Sequence, residues 1–257
     1  MRILLGGIKG GVGKTTLTLL LGRSLARRGR KVLIVDRDLI GWASKVLGVT
    51  NDEGLLNSVL EGRTDGYYAS THIGKGKLGV VRFYPVSHTF KTSVDFVLRK
   101  PELMEAVSKA YGELLLDEGY DLFIVDNPPN VLPSDPVVKL EVQAFYKWTK
   151  ADVAHLYVSD PTQFGIEAVV RYAEYVQSDP ELIPPVHRGL VVNMVRPLPD
   201  EEAMAQRKAL EACERIMADL CGTIPFDDSL FDYGDRSEEY PEEVNNLAAQ
   251  VAEWDDS

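Results

Sequence analysis

The sequence predicts an α/β fold, a three-layer, doubly wound and mainly parallel sheet with helices on both faces. Short apolar runs alternate with segments whose apolar residues recur at helical spacing over the whole chain. The run at residues 31–36 is continuously apolar between its first and last positions, as in strands buried on both faces, and parallel sheets consist of such strands. With 257 residues, of which 45% are hydrophobic, the chain is expected to form one domain over residues 1–257 with a substantial core.

The expected elements alternate regularly, and prolines and glycines mark their ends. Strands are predicted near residues 2–7, 31–36, 79–84, 120–126, 153–158, 190–192 and 222–224. Helices are predicted up to about residue 28 and near 103–116, 165–176, 201–220 and 241–254, with one or two short ones within 42–60. Gly29 is placed to stop the first helix, Pro101 lies near the start of another, and Pro85 and Pro225 each follow a strand. Residues 61–78, rich in Gly, Lys and Tyr, are expected to be loop-like.

Charge is distributed unevenly along the chain. The net charge is −11, yet residues 1–100 hold 17 Lys and Arg against 7 Asp and Glu, whereas residues 101–257 hold 11 against 32. Five basic residues crowd the end of the predicted first helix: Arg23, Arg27, Arg28, Arg30 and Lys31. They complement the partial negative charge of a helix C-terminus, which favours a solvated face. Binding to duplex DNA needs positive charge concentrated on one surface, and the sequence leaves that alternative open.

Composition also bounds the cellular setting. No apolar run approaches the roughly 18 residues of a membrane span. Met1 is followed almost directly by the first strand, so we expect neither a signal peptide nor an N-terminal DNA-binding module. Cys213 and Cys221 are eight positions apart, which fits no zinc or iron–sulfur spacing, so both are expected to be reduced thiols. These features predict a cytoplasmic protein.

A glycine-rich segment lies between the first strand and the first helix. It consists of Ile8, Lys9, Gly10, Gly11, Val12, Gly13, Lys14, Thr15 and Thr16. Its glycines allow a sharp turn in which successive backbone N–H groups point inward and form an anion site at a helix N-terminus. Lys14 adds a point charge for terminal phosphates, and the Thr15 hydroxyl is a candidate Mg²⁺ ligand. The segment therefore predicts a site for a nucleotide with Mg²⁺.

One position of this segment departs from the general phosphate-binding pattern. That pattern places a glycine five residues before Gly13, where this sequence has Ile8. The segment instead matches a deviant form, in which a second lysine, here Lys9, precedes the glycines.

Carboxylates follow two of the predicted strands. Asp36 and Asp38 come at the end of one apolar run, and Asp126 ends another. In open α/β sheets, catalytic groups gather at the carboxyl edge of the strands. A strand that ends in Asp is also the element that holds Mg²⁺ opposite a phosphate-binding loop. The three aspartates are therefore candidates for metal binding and catalysis.

At these motifs the chain resembles the ParA/MinD family of deviant Walker A P-loop ATPases, which is related to the Mrp, ArsA and nitrogenase iron proteins. Residues 8–16 are similar to the family's deviant loop, residues 36–38 to its Asp-x-Asp switch and residues 126–129 to its Asp-x-Pro-Pro element. Residues 160–162 resemble its Pro-Thr loop, 189–193 a strand whose Asn meets adenine, and 222–227 a segment that lines the base. The resemblance runs from residue 1 to about 230 and implies the P-loop NTPase fold.

The resemblance implies how ATP would be held. The backbone of residues 10–16 would surround the phosphates, with Lys14 on the β- and γ-phosphates and Thr16 on the α-phosphate. The residues implied at the base are Asn193, Pro225 and Asp227.

The resemblance also implies a metal site and a second subunit. Thr15 and Asp126 would hold Mg²⁺, the latter through water, and Asp38 would lie at the metal and orient or deprotonate the attacking water. Lys9 would cross a two-fold interface to the partner's nucleotide, supplying positive charge to the transition state in the manner of an arginine finger. ATP, but not ADP, would then hold a homodimer together. The alternative is that Lys9 neutralises only its own phosphates.

Some family features are missing from this sequence. Members that attach to membranes use a basic C-terminal helix, but residues 237–257 contain no Lys or Arg, so a membrane contact is not expected. The apolar stripe of Val244, Leu247, Ala248 and Val251 predicts instead a terminal helix that packs on the core. A Cys-x-x-Cys pair is absent too.

These features predict a Mg²⁺-dependent ATPase that dimerises on ATP and acts in partition of DNA or in cellular positioning. A stimulating adaptor protein is the expected partner, with non-specific DNA as a further candidate. The first alternative is an ATPase that targets proteins or delivers a metal cofactor. The second is a biosynthetic enzyme that uses ATP to activate a carboxylate.

Overall fold

The computed structural model describes residues 1–86, 90–231 and 241–256. Eight strands form its sheet: β1 (Arg2–Gly6), β2 (Lys31–Asp36), β3 (Tyr68–Ile73), β4 (Gly76–Arg82), β5 (Leu122–Asp126), β6 (Val153–Ser159), β7 (His187–Val195) and β8 (Leu220–Pro225). The helices are α1 (Lys14–Arg27), α2 (Trp42–Val46), α3 (Gly54–Leu60), α4 (Phe90–Leu98), α5 (Pro101–Asp117), α6 (Pro136–Tyr146), α7 (Gln163–Ser178), α8 (Pro199–Ile216) and α9 (Glu242–Asp256).

The strand order is β3-β4-β2-β5-β1-β6-β7-β8, and every neighbouring pair is parallel except β3 with β4. The register aligns the strand ends that carry the predicted site. Asp126 of β5 lies opposite Leu5 of β1 on one side and Asp36 of β2 on the other. The loops that follow β1, β2 and β5 therefore leave the sheet side by side, at its carboxyl edge. The predicted α/β fold is confirmed.

Both faces of the sheet are buried, because successive strand residues point to opposite sides. On β2, Val32 and Ile34 pack in the core beneath α1 and α9, whereas Leu33 and Val35 pack with α5 and α6. A third group of apolar side chains lies beneath α7 and α8. The continuously apolar strands of the sequence are explained by these two covered faces.

Residues 61–78 are not a loop throughout, so that prediction was wrong. They contain β3 and the first residues of β4, which form an antiparallel hairpin at the edge of the sheet. Gly74 has a φ of 60°, and its tight turn places Ile73 opposite Gly76. Most of β3 is half-buried or exposed, so its sequence lacks the apolar character that identified the other strands. The sequence interpretation also missed α4 and α6.

The terminal helix α9 packs on the core, as predicted. Val244, Leu247, Ala248 and Val251 are buried with Trp254 in the core that α1 also lines. Ser24 of α1 donates a hydrogen bond of 2.8 Å to Asn245 of α9. Among the residues that the structure describes, no helix is long and apolar enough to cross a membrane.

The expectation of two reduced cysteines was wrong. Cys213 and Cys221 form a disulfide, with 6.2 Å between their Cα atoms. Met217 ends α8 in the left-handed conformation, with a φ of 53°, and reverses the chain within a few residues. This reversal brings the start of β8 back beside the last turn of α8, which a spacing of eight residues does not reveal.

Candidate functional site

The loop between β1 and α1 has the shape that the sequence predicts. Gly11 and Gly13 have φ values of 79° and 86°, a region that residues with a side chain rarely adopt. A Cβ on Gly13 would also lie 2.2 Å from Nδ2 of Asn193, which donates a hydrogen bond of 2.9 Å to the Val12 carbonyl. Gly13 is the residue before α1, so the free N–H groups of that helix terminus face the loop. The backbone thus forms a site for an anion.

Lys14 is the first residue of α1 and is buried. Its Nζ donates a hydrogen bond of 3.2 Å to the Lys9 carbonyl. Burial lowers the pKa of Lys14, while the negative charges of Asp126 and Asp38 act in the opposite direction. The ammonium group is therefore poorly hydrated and lies between the loop and two carboxylates, where a phosphate would gain most from it.

Asp36, Asp38 and Asp126 form a group at the carboxyl edge of the sheet, which we call the carboxylate cluster. Asp36 is fully buried and accepts hydrogen bonds from the Ser44 amide (2.9 Å), the Ser44 hydroxyl (2.6 Å) and the Asp38 amide (3.1 Å). Burial raises the pKa of Asp36 to about 6 despite the hydrogen bonds from Ser44. Asp38 is only half-buried, and its Oδ1 accepts a hydrogen bond of 2.9 Å from the Ile40 amide. The sequence interpretation gave Asp36 no separate role.

Asp126 has the least compensated charge of the cluster. It is fully buried, its Oδ1 is 3.5 Å from the Thr18 hydroxyl, and its Oδ2 has no hydrogen-bond partner among the described residues. Burial, together with the negative charge of Asp36, raises its pKa to about 8. A buried carboxylate oxygen without a partner is costly, and a cation beside it would remove that cost.

These residues fit Mg²⁺. The cluster offers hard oxygen ligands, and Thr15 and Asp126 are in reach of one another because a Thr15 hydrogen bond also acts on the pKa of that carboxyl. No group of three or more His, Cys, Asp or Glu side chains is arranged as a metal site in the described part of the chain. Mg²⁺ commonly takes only one or two carboxylates and completes its shell with water and substrate phosphates.

A cleft beside the loop brings together the residues that were predicted to contact the base. Asn193, Pro225 and Asp227 line it together with Thr16, which was predicted to contact the α-phosphate, and apolar side chains such as Leu20. The register of β7 against β8 is irregular between Val192 and Val195, where Met194 has a φ of 61° and also lines the cleft. Strand ends and a β-bulge thus form the wall that faces the loop.

Lys9 points to its own subunit in this structure. Its Nζ lies 2.9 Å from Oδ2 of Asp160 and 5.0 Å from the ring centre of Phe164. Thr162 donates hydrogen bonds to the other oxygen of Asp160 through its amide (3.0 Å) and its hydroxyl. Burial acts to raise the pKa of Asp160, but these hydrogen bonds and that from Lys9 outweigh it and lower the pKa. The sequence named Asp160 as part of a loop but gave no sign that it pairs with Lys9.

A second group of buried charges lies on the face of the sheet that α5 and α6 cover, and it was not predicted. It consists of Arg2, Arg37 and Glu141, all at most 1% exposed, and we call it the arginine–glutamate cluster. Glu141 Oε1 accepts hydrogen bonds from Arg2 Nη1 (3.2 Å) and from the Tyr111 hydroxyl (2.7 Å), and Oε2 accepts from both arginines. Burial acts to raise the pKa of Glu141, but the charges of Arg2 and Arg37 outweigh it and lower the pKa to about 2. The one signal in the sequence is a glutamate among the apolar residues of α6.

The chain matches a known family over most of its length. The family described as the CobQ/CobB/MinD/ParA nucleotide binding domain matches residues 3–240. The chromosome-partitioning ATPase Soj of Thermus thermophilus is 37% identical over 132 residues, 51% of this chain and 47% of that protein. The maintenance of carboxysome distribution protein A of Synechococcus elongatus is 30% identical over 124 residues, 48% of this chain and 47% of that protein. The matched region thus spans about half the length of these relatives.

Solved structures agree with the fold. The MinD cell division protein of Aquifex aeolicus superimposes with a TM-score of 0.62 at 25% identity, covering 98% of this chain and 96% of that one. Its fold is shared with this chain. The chain therefore belongs to the CobQ/CobB/MinD/ParA family of nucleotide-binding domains.

Proposed function

We propose that this protein is a Mg²⁺-dependent ATPase that dimerises when it binds ATP and serves partition or positioning in the cell, with residues 1–257 acting as one domain. One observation carries the proposal: the buried Lys14 ammonium and the unpartnered Asp126 oxygen lie together at the N-terminus of α1. A buried cation and a buried, uncompensated carboxylate complement the two parts of a Mg²⁺–nucleotide, its phosphates and its metal.

Each part of the site has a defined task in hydrolysis. The N–H groups of residues 10–16 and Lys14 bind the phosphates and stabilise the charge that develops on them. Thr15 and Asp126 would hold Mg²⁺, which neutralises charge on the β- and γ-phosphates. Asp38 would accept a proton from the attacking water through its second oxygen; its partial burial and the hydrogen bond from the Ile40 amide to Oδ1 support this role.

Dimerisation requires Lys9 to change its partner. In the structure Lys9 is paired with Asp160 of its own subunit. A lysine that crosses to the nucleotide of a second copy must leave Asp160, and the phosphate charge of bound ATP supplies the competing attraction. ADP lacks the γ-phosphate and offers less of it, which makes the dimer dependent on the nucleotide state.

The likeness to Soj and to the carboxysome distribution protein supports a role in moving or placing a cargo, with an adaptor protein that stimulates hydrolysis. The basic residues near the end of α1 give little support to a contact with DNA. Arg30 pairs with Asp121 at 3.3 Å, and Arg28 donates a hydrogen bond of 3.0 Å to the Asn245 carbonyl. These two side chains are thus engaged within the subunit.

The proposal is tested by ATP hydrolysis and light scattering on the full chain. With Mg²⁺ and ATP the protein is expected to double its mass, and with ADP to remain at its starting mass. Lys9→Ala is expected to lower the hydrolysis rate about 10³-fold and to abolish the dimer, because the charge supplied by the second subunit is lost. Lys150→Ala, at an exposed lysine, is the matched control and is expected to behave as the parent protein. Unchanged hydrolysis and mass in Lys9→Ala would refute the trans-lysine mechanism. Absence of ATP binding in the parent would refute the proposal as a whole.

A further inference from the structure

A cavity that takes no part in the nucleotide site lies between the sheet and helices α6 and α7 and is partly open to the surface. Its volume is about 50 Å³. Its polar lining consists of Arg37, Asn127, His155, Tyr157 and Tyr172. A second cavity of about 90 Å³ shares Leu4, Pro133, Val138 and His155 with the first and reaches the partly exposed Lys139 and Glu181. Together they connect a buried arginine with the protein surface.

The charges around the first cavity are not balanced. Arg2 and Arg37 share the single carboxylate of Glu141, so two buried guanidinium groups face one buried negative charge. Arg188 adds positive charge nearby, because burial and then the Arg188 charge lower the pKa of His155 to about 4. Positive charge that is buried without a counter-charge is unfavourable, and an anion would offset it.

One donor in the cavity lining is unused. Arg37 donates to Asn127 Oδ1 through Nη1 (3.0 Å) and to Glu141 through Nη2, but its buried Nε has no acceptor among the described residues. A satisfied arginine would have all three nitrogens engaged.

The other polar groups of the lining are engaged. The Tyr172 hydroxyl donates to the Val131 carbonyl (2.6 Å), and the Tyr157 hydroxyl lies 3.2 Å from His155 Nδ1. Asn127 Nδ2 donates to the Leu5 carbonyl at 3.0 Å. No acidic side chain lines this cavity in the described part of the chain. The site therefore offers a donor and positive charge, which excludes a metal cation as its ligand.

We propose that the cavity binds a small inorganic anion of the size of chloride or nitrate, held by the Nε–H group of Arg37. A volume of about 50 Å³, measured as the space open to the centre of a water-sized sphere, exceeds the roughly 10–15 Å³ that one water needs, so it admits a small anion. The excess positive charge favours an anion over a neutral water. Arg37 stands between Asp36 and Asp38, so the bound anion would also stiffen the segment that carries the candidate catalytic carboxylate.

Bromide gives the direct test. Crystals of the full chain grown or soaked in sodium bromide, measured at the bromine absorption edge, are expected to show an anomalous peak about 3.3 Å from Arg37 Nε, the usual reach of a halide for an N–H donor. A water-like density at that position without anomalous signal, or no density, would overturn the proposal.

A melting experiment tests the same site in solution. At equal ionic strength, chloride or nitrate is expected to raise the midpoint of thermal unfolding by about 2–4 °C over gluconate, a much larger organic anion. Val176→Leu fills the cavity with one more methylene group while keeping Arg37, and it is expected to abolish this difference. Val186→Leu, at an exposed position, is the matched control and is expected to keep it. Equal anion effects in both variants would contradict the proposal, and the bromide experiment on the parent protein remains decisive if Val176→Leu does not fold.

Discussion

The carboxylate cluster and the arginine–glutamate cluster both bury several charges. In the arginine–glutamate cluster, two guanidinium groups and the Tyr111 hydroxyl hold one carboxylate, whose pKa falls to about 2. In the carboxylate cluster, three aspartates face one buried lysine, and the pKa of Asp126 rises to about 8 through burial and the charge of Asp36. Burial acts to raise the pKa of both carboxyl groups, and the neighbouring charges decide whether the net shift is downward or upward.

The opposite pKa shifts of Glu141 and Asp126 indicate different roles for the two clusters. Glu141 is stabilised by its own protein, so its buried negative charge needs no metal or other added cation. Asp126 is destabilised by its own protein, and a cation bound beside it, as proposed, would remove this cost. The following experiments test this contrast.

Removal of the Glu141 charge is expected to have the largest effect. Glu141→Gln leaves two buried arginines without a counter-charge and is expected to lower the free energy of unfolding by about 3–5 kcal/mol. Urea denaturation measures it, with Glu174→Gln as the control at an exposed position of α7, expected within about 0.5 kcal/mol of the parent. A loss below about 1 kcal/mol in Glu141→Gln would show that the cluster does not stabilise the fold.

The pH dependence of stability at His155 tests whether the positively charged surroundings of the arginine–glutamate cluster disfavour a further buried positive charge. Burial, with the charge of Arg188, lowers its pKa to about 4, whereas the pKa of an unfolded histidine is about 6.5. Between pH 6.5 and 4 the unfolded chain therefore binds a proton at His155 that the folded chain does not bind. The contribution of neutral His155 to the free energy of unfolding is fully present above pH 6.5 and is lost as the pH falls toward 4. The loss is about 3 kcal/mol.

His155→Gln isolates this effect because it does not titrate. The unfolding free energy of the parent is expected to fall more steeply than that of His155→Gln between pH 6.5 and 4, and the two are expected to run parallel above pH 7. Parallel curves throughout would mean that His155 is not held neutral.

Asp126→Asn is expected to change stability with the opposite sign to Glu141→Gln. Without metal and nucleotide at pH 7.5, the neutral amide avoids the cost of the buried charge, and the free energy of unfolding is expected to rise by about 1–2 kcal/mol. Asp117→Asn, on the exposed face of α5, is the control. A variant less stable than the parent under these conditions would show that the carboxylate is compensated after all.

The ion pair between Lys9 and Asp160 is expected to have the smallest effect on stability. Both side chains are partly exposed, at 35% and 22%, so Asp160→Asn is expected to cost less than about 1 kcal/mol in thermal unfolding. The same variant releases Lys9 from its own subunit, and light scattering is expected to show dimers at lower ATP concentrations. An unchanged ATP dependence would mean that the pair does not restrain Lys9.

The sequence was sufficient to predict features that depend on the residue types of one short segment. The apolar run of β2 and the glycines of residues 10–13 carry their structure in their own residue types, so fold class and loop were predicted. The partnership of Lys9 with Asp160 joins residues 151 positions apart, and that of Arg2 with Glu141 joins residues 139 apart. Such pairs exist only after the sheet is assembled. The edge strand β3 was missed for a related reason, because only its pairing with β4 makes it a strand.

The most direct measurement is the rise in melting temperature on adding Mg²⁺ and ATP together, compared between Glu141→Gln and Asp126→Asn. At about one hundred times the dissociation constant, a bound nucleotide adds about 2.7 kcal/mol, or roughly 5–10 °C for a chain of this size. Glu141→Gln starts from a lower midpoint and is expected to keep the full rise, whereas Asp126→Asn is expected to lose the part that depends on Mg²⁺. Equal rises in the two variants would contradict the distinction between Glu141, whose charge the protein itself stabilises, and Asp126, whose charge is proposed to be stabilised by the metal.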